Sequence, residues 1–197
     1  MPTVAFIHQK GGTGKSTLSI SLAWVLAQAG HSVMLLDTDY QGTASEWGNR
    51  FGYKTGVETR SLVQPIVHRE IARFSPSFEW IVIDGPPSLS PMTESILRAC
   101  DQMVVPTRPA LPDIWALPWL AAIINKLRDE GQTLRARVVF NQYAGEDLAP
   151  LREEMVGWNL DLHPETLPVD KAFQEIFAGH PLPGPLAEAI LELVARV

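Results

Sequence analysis

QKGGTGKST, residues 9–17, lies between a β-rich run, TVAFIH (3–8), and a longer one, STLSISLAWVLAQA (16–29), whose apolar positions recur at helical spacing until Gly30. The mononucleotide phosphate-loop pattern, G-x-x-x-x-G-K-[ST], fits at Gly14, Lys15 and Ser16 but would need a glycine at Gln9. The physics outlasts that mismatch. Gly11, Gly12 and Gly14 let the backbone curl so that several N–H groups face one anion, and the helix that follows adds its positive end. With Thr13 and Thr17 they make a predicted phosphate-binding loop. Lys15 would lie against the β- and γ-phosphates, and the Ser16 hydroxyl would ligate Mg²⁺. A dinucleotide fingerprint fits worse, because Thr17 stands where its last glycine belongs.

Outward from this loop, strand candidates SVMLLD (32–37), EWIVID (79–84), DQMVVP (101–106) and ARVVFN (136–141) alternate with helical stretches. The helices are expected near 61–74, starting at Pro65, near 114–130, and in the closing PLPGPLAEAILELVARV (181–197). After Asp37 comes a run of small and polar residues with no assigned element. Strands that are apolar on both faces and separated by helices indicate an α/β fold. It has a mostly parallel sheet covered on both sides, with its ligand at the carboxyl ends of the strands. His8, Asp37, Asp39, Asp84, Pro106 and Asn141 all fall at or just beyond those ends. No repeat or linker interrupts the chain, so residues 1–197 are read as a single domain.

A net charge of −6, from 16 basic against 22 acidic residues, gives no general attraction to nucleic acid or anionic lipid; such binding would need a local basic patch. One cysteine, Cys100, excludes an intrachain disulfide framework and a Cys-rich metal site. MPTVAFIHQ carries no basic leader before a long apolar segment, and no run approaches a membrane span, so a cytoplasmic setting is expected.

Two acidic segments carry the remaining chemistry. LLDTDYQG places Asp37 at a strand end and Asp39 two residues on, where a carboxylate can cap backbone, orient water or support a metal shell. WIVIDGPP is a strongly apolar strand ending in Asp84, whose carboxylate would act on Mg²⁺ through a bound water or through Ser16.

KGGTGKST, LLDTDYQGTASEW (35–47) and WIVIDGPPSLSPMTESILRACDQMVVPTRPA (80–110) together resemble the ParA/MinD superfamily of deviant Walker A P-loop ATPases. The likeness continues through VVFNQY and LPVDKAFQEIFAGHPL, and is strongest to small ParA-type plasmid partition ATPases without an N-terminal DNA-binding domain. The resemblance implies a P-loop NTPase fold and slow, partner-stimulated hydrolysis of ATP with Mg²⁺. It further implies a homodimer closed around nucleotide, in which Lys10 reaches the phosphates held by the other subunit. Asp39 would position the attacking water behind the metal's shell, Asp37 would support the magnesium-side network, and Gly85, Pro86 and Pro87 would form the second switch. Asn141 would read adenine, with Pro164 and Glu165 walling the base. An adaptor or centromere-binding protein and non-specific DNA are the implied partners, with a nucleoid-associated location and no membrane.

On residues alone, Lys10 also reads as a solvated lysine and Asn141 as a strand-end turn residue. Trp115 and Trp119, spaced i,i+4, fit either the core or a dimer or partner surface. Lys126, Arg128, Arg135 and Arg137 form the densest basic group, with Arg108, Arg152, Lys171 and Arg196 scattered. PLAEAILELVARV is amphipathic but short of basic residues for a membrane surface, so it is expected to pack on the domain or a partner. A metabolic kinase or ligase would need an added acceptor pocket, and no long insertion offers one. An iron–sulfur reductase would need paired cysteines.

Overall fold

Runs apolar on both faces form the centre of one parallel sheet in the computed structural model, which describes residues 2–195. In chain order the elements are β1 (Thr3–Phe6), α1 (Lys15–Gln28), β2 (Val33–Asp37), α2 (Thr43–Thr55), β3 (Val57–Ser61), α3 (Val67–Phe74), β4 (Trp80–Asp84) and α4 (Pro91–Leu97). They continue with β5 (Gln102–Thr107), α5 (Leu111–Ile114), α6 (Leu117–Asp129), β6 (Arg135–Phe140), α7 (Ala149–Glu154), β7 (Asp161–Leu162), α8 (Ala172–Glu175) and α9 (Gly184–Glu192). The strand order is β3-β2-β4-β1-β5-β6-β7, and every recorded pairing is parallel.

The chain runs from β1 out to β3, returns through β4, and then crosses β1 to build the other half. That order brings the carboxyl ends of β1, β2 and β4 side by side: Phe6 pairs with Asp84, and Asp37 with Asp84. A ligand crevice belongs at such a reversal.

The period-2 alternation of the strands divides the core into two layers. Val4, Phe6, Leu35, Val82 and Val104 pack under α1, α2 and α9, while Ala5, Ile7, Met34, Leu36, Ile83 and Val105 pack under the helices from α3 to α7. Helix α1 is buried nearly all round from Leu18 to Leu26. Its interior serines leave no unpaired group, because Ser19 Oγ donates to the Ser16 carbonyl and Ser21 Oγ to that of Thr17. Ile190, Leu193 and Val194 seat the end of the chain in the α1 layer, as expected for a packing helix; Arg196 lies outside the described residues. No described helix is long and apolar enough to cross a membrane.

The sequence reading left α2 and β3 unassigned, along with the short elements α4, α5, α7 and β7. Within α2 only Ala44 and Trp47 are buried, and Gly48 and Gly52 lower its helix propensity. Gly48 is needed, since a Cβ there would lie 2.3 Å from the Thr59 side chain of β3. β3 is an edge strand in which only Val57 is buried, so VETRS carries no apolar signal. The helix expected from Pro65 begins at Val67.

Candidate functional site

The loop after β1 curls through left-handed glycines, Gly12 (φ 74°) and Gly14 (φ 99°), and the helical ladder then opens with Leu18 N donating to the Gly14 carbonyl at 2.9 Å. No side chain caps the N-terminus of α1, which leaves its leading N–H groups for an anion. Four side chains fasten the loop. Gln9 Nε2 donates to the Ala116 carbonyl (2.6 Å), Asn141 Nδ2 to that of Thr13 (2.8 Å) and Gln142 Nε2 to that of Gly12 (2.8 Å). His8 Nδ1 accepts from Lys10 N at 3.0 Å, a role for the neutral ring; burial, with the charge of Lys15 next, pulls its pKa down to about 4.

Beneath the loop, Lys15 is buried and donates from Nζ to the Lys10 carbonyl at 2.9 Å. Burial lowers its pKa against the attraction of Asp84 and Asp39. Asp84 is fully buried at the end of β4, and burial pushes its carboxyl up to about 7. Ser16 lies close enough to draw that value down, yet no hydrogen bond of regular geometry reaches either carboxylate oxygen. Asp37 raises it further. Asp37 itself is committed to backbone: Oδ1 accepts from Asp39 N (3.1 Å) and Oδ2 from Ser45 N (2.7 Å), which ties β2 to the start of α2. Thr38 donates to the Asp84 carbonyl from both N (3.0 Å) and Oγ1 (2.6 Å), coupling the β2 loop to β4. Asp39 is half-buried and accepts from Gln41 N at 3.1 Å, a local turn.

These residues fit a magnesium nucleotide. A buried carboxylate without a partner stands with a serine and a buried lysine under a loop whose N–H groups gather an anion. Among the described residues no group of three His, Cys, Asp or Glu forms a protein-only metal cage. Mg²⁺ held by one or two protein groups, water and phosphate oxygens requires none.

Lys10 goes elsewhere. Its Nζ lies 3.1 Å from Asp113 Oδ1 and also donates to the Pro112 carbonyl. Arg108 grips the same carboxylate, from Nε to Oδ2 at 2.6 Å. Burial would raise Asp113, but the bonds and charges of Arg108 and Lys10 prevail and hold it below the usual carboxylate range. Sequence reading missed Asp113 altogether and left Arg108 among scattered surface charges; nothing in PALPDI marks the aspartate as buried.

Beside the loop a cavity of about 270 Å³ is lined by Gly14, Thr17, Asn141, Pro168, Val169 and Phe173, among others. Pro168, Val169 and Asp170 line this cavity, whereas Pro164 and Glu165, expected to wall the base, are not among its lining residues. β7 and the turn after it spend those earlier residues on fastening the segment, with Glu165 N donating to His163 Nδ1. Trp115 and Trp119 are 59% and 72% exposed, so neither belongs to the core.

The chain matches the family model described as CobQ/CobB/MinD/ParA nucleotide binding domain over residues 4–169. It is 30% identical over 145 residues to the maintenance of carboxysome distribution protein A of Halothiobacillus neapolitanus, covering 71% of this chain and 66% of that protein. It is 28% identical to the chromosome-partitioning ATPase Soj of Thermus thermophilus, covering 98% of this chain and 94% of Soj. The chain spans less than two thirds of the length of the carboxysome relatives it matches. In structure it superposes on apo McdA of Cyanothece with a TM-score of 0.76 at 18% identity, over 99% of this chain and 100% of that one. The fastened phosphate loop, the buried Lys15 and Asp84 and a family match across most of the chain agree: the protein belongs to the ParA/MinD superfamily of P-loop ATPases.

Proposed function

We propose that the chain is an ATP-driven positioning switch, a single domain that hydrolyses ATP to ADP and phosphate, closes into a dimer around nucleotide and signals that state to DNA and an adaptor protein. One observation carries this reading: the two lysines of the loop serve different places. Lys15 is buried under its own loop, whereas Lys10 lies on the outer side, partly exposed and held by Asp113. A second copy would receive Lys10. Relatives that position carboxysomes and partition chromosomes, by their names, support the class of task, and leave the cargo open.

Gly11, Gly12, Thr13, Gly14 and Thr17 would cradle the phosphates, with Lys15 against the terminal ones. Ser16, and Asp84 through water, would hold Mg²⁺, which when bound neutralises charge on the phosphate oxygens. Asp39 would orient the attacking water behind that shell. In-line attack needs positioning and electrostatics more than a strong base, so the neutral His8 remains a fastener.

Adenine is favoured by the commitment of Asn141. Its Nδ2 is taken by the Thr13 carbonyl, and Oδ1 makes no hydrogen bond among the described residues. Oδ1 is an open acceptor that suits the amino group of adenine, while one of the two Nδ2 N–H groups is already spent on Thr13.

Charge supports DNA binding less than family does. Arg128 donates to the Leu134 and Asn159 carbonyls, Arg137 to those of Glu192 and Leu193, and Lys126 lies 3.8 Å from Glu130. Only Arg135 of that group is without a recorded partner among the described residues.

Sedimentation and phosphate release with ADP and with ATP test the switch in the wild type, Lys10→Ala and Asp39→Ala. ATP should dimerise the wild type, Asp39→Ala should accumulate the dimer, and Lys10→Ala should stay monomeric. No dimer with ATP even when hydrolysis is blocked would refute the switch. Duplex DNA should be retained with ATP but not ADP, and salt should weaken retention; no retention at low salt removes DNA from the scheme.

A further inference from the structure

Helices α5 and α6 follow one another through Trp115 and Ala116 in right-handed conformation, so their outer residues make one continuous stripe. Its polarity is divided. Leu111, Trp115, Pro118, Trp119 and Ala122 are exposed at the end near the phosphate loop, and Lys126, Asp129 and Glu130 at the far end. An ordinary solvated helix face would be polar throughout. Two largely exposed tryptophans four residues apart are instead the kind of anchor that concentrates interface energy.

The apolar end is joined to the nucleotide site by direct bonds. Gln9 Nε2 donates to the Ala116 carbonyl, and Lys10 Nζ reaches the Pro112 carbonyl and Asp113, all on the same two turns. Lys10 therefore sits against the same two turns from which the apolar end of the stripe projects. Other exposed large apolar groups nearby, Val169 and Phe177, already line the cavity beside Gly14.

We infer that the Leu111–Trp115–Trp119 stripe is an interface for a second copy of this chain, extending the contact made around Lys10. The inference rests on the dimer reading above. Area agrees with it. At 59% and 72% exposure, and roughly 150–250 Å² for a buried aromatic, two tryptophans used twice across a two-fold axis would remove roughly 400–650 Å². That is a quarter or more of the ~1,600 Å² of a standard stable interface, and a dimer closed only over polar loops lacks such a contribution. The charged far end of the stripe then falls at the wet rim.

The test is dimerisation with a non-hydrolysable ATP analogue and Mg²⁺, followed by sedimentation, for the wild type, Trp115→Ser/Trp119→Ser, Trp115→Leu/Trp119→Leu, and Lys126→Ser as a control from the same stripe. Binding of a fluorescent ATP analogue, at protein concentrations below the dimer range, is measured alongside. The serine pair should raise the dimer Kd by about tenfold or more while monomer nucleotide affinity and melting temperature hold. The leucine pair should recover most of the loss, and Lys126→Ser should match the wild type. A wild type that dimerises together with a serine variant that dimerises equally well overturns the inference but leaves the dimer reading standing. A wild type that binds nucleotide and never dimerises overturns both.

Discussion

Lys10 Nζ lies 3.1 Å from Asp113 Oδ1, while Arg108 Nε holds the other oxygen of that buried carboxylate at 2.6 Å. Two cations therefore share one anion, and the departure of Lys10 leaves Asp113 still paired. Without Arg108, moving Lys10 toward a neighbouring subunit would strand a buried charge, a penalty of several kcal/mol.

This arrangement predicts opposite effects from its two partners. Asp113→Asn frees Lys10 and should tighten the ATP-dependent dimer by about two- to fivefold, the scale of one partly exposed ion pair. Arg108→Ala leaves Lys10 as the sole partner of Asp113 and should weaken the dimer. Sedimentation across a concentration series measures both, and effects of the same sign would show that Lys10 is not competed for by Asp113.

Asp84 predicts a pH dependence in the nucleotide-free protein. Its folded pKa is raised to about 7 from an ordinary carboxylate value, chiefly by burial. The folded state thus holds the proton more tightly than the unfolded one. The stabilisation is complete below the unfolded value and is lost as pH rises through about 7, with a size on the order of a few kcal/mol. Asp84→Asn should melt higher than the wild type at pH 8, with the gap closing toward pH 5. It should also lose stabilisation by ATP with Mg²⁺. Thermal melts with and without ATP and Mg²⁺ check both, and an Asn variant that melts lower at pH 8 contradicts the burial argument.

Most of this site was legible because its chemistry is local. A strand, glycines with forced φ and a lysine–serine pair within nine residues describe the loop without tertiary knowledge, and Asp84 announces itself at the end of a wholly apolar strand. Asp113 was not legible, since its burial and its two cations come from β1 and β5 meeting, 103 residues apart in the case of Lys10 (113 − 10). α2 and β3 were hidden because an edge strand and its covering helix need few apolar residues. The segment after β6 was legible only coarsely: Pro164 and Glu165 were expected beside the base, and the cavity next to Gly14 is lined instead by Pro168, Val169 and Asp170.

Gly14 allows a direct test of the loop. Its φ of 99° is strained for any side chain, and a Cβ there would lie 2.2 Å from Asn141 Nδ2. Gly14→Ala must therefore both distort the loop and expel the amide that fastens Thr13. Nucleotide binding, read by a fluorescent ATP analogue, should fall by about a hundredfold or more, since several loop N–H groups move together. Gly12→Ala is the control, because its φ of 74° is also left-handed but nothing lies within 4 Å of a Cβ at that position. It should bind far better than Gly14→Ala, and equal losses would mean that backbone freedom, and not the Asn141 contact, sets the requirement.

Asn141 separates fastening from base reading. Its Nδ2 holds the Thr13 carbonyl at 2.8 Å, and the residue also lines the cavity beside Gly14. Loss of the fastener alone would weaken every nucleoside triphosphate alike, because the phosphates are common to all. Loss of an acceptor for the adenine amino group would weaken ATP and spare GTP. Asn141→Ala removes both and should lower ATP affinity by about tenfold more than GTP affinity, on the scale of one hydrogen bond to a buried polar group. Asn141→Asp keeps an acceptor and turns the fastener into a repulsion with the Thr13 carbonyl, so it should weaken both nucleotides while retaining the preference for ATP. Competition binding of ATP and GTP against one fluorescent probe reads the two ratios directly. Equal losses in the alanine variant would confine Asn141 to holding the loop and move adenine selection to the cavity lining at Pro168–Asp170.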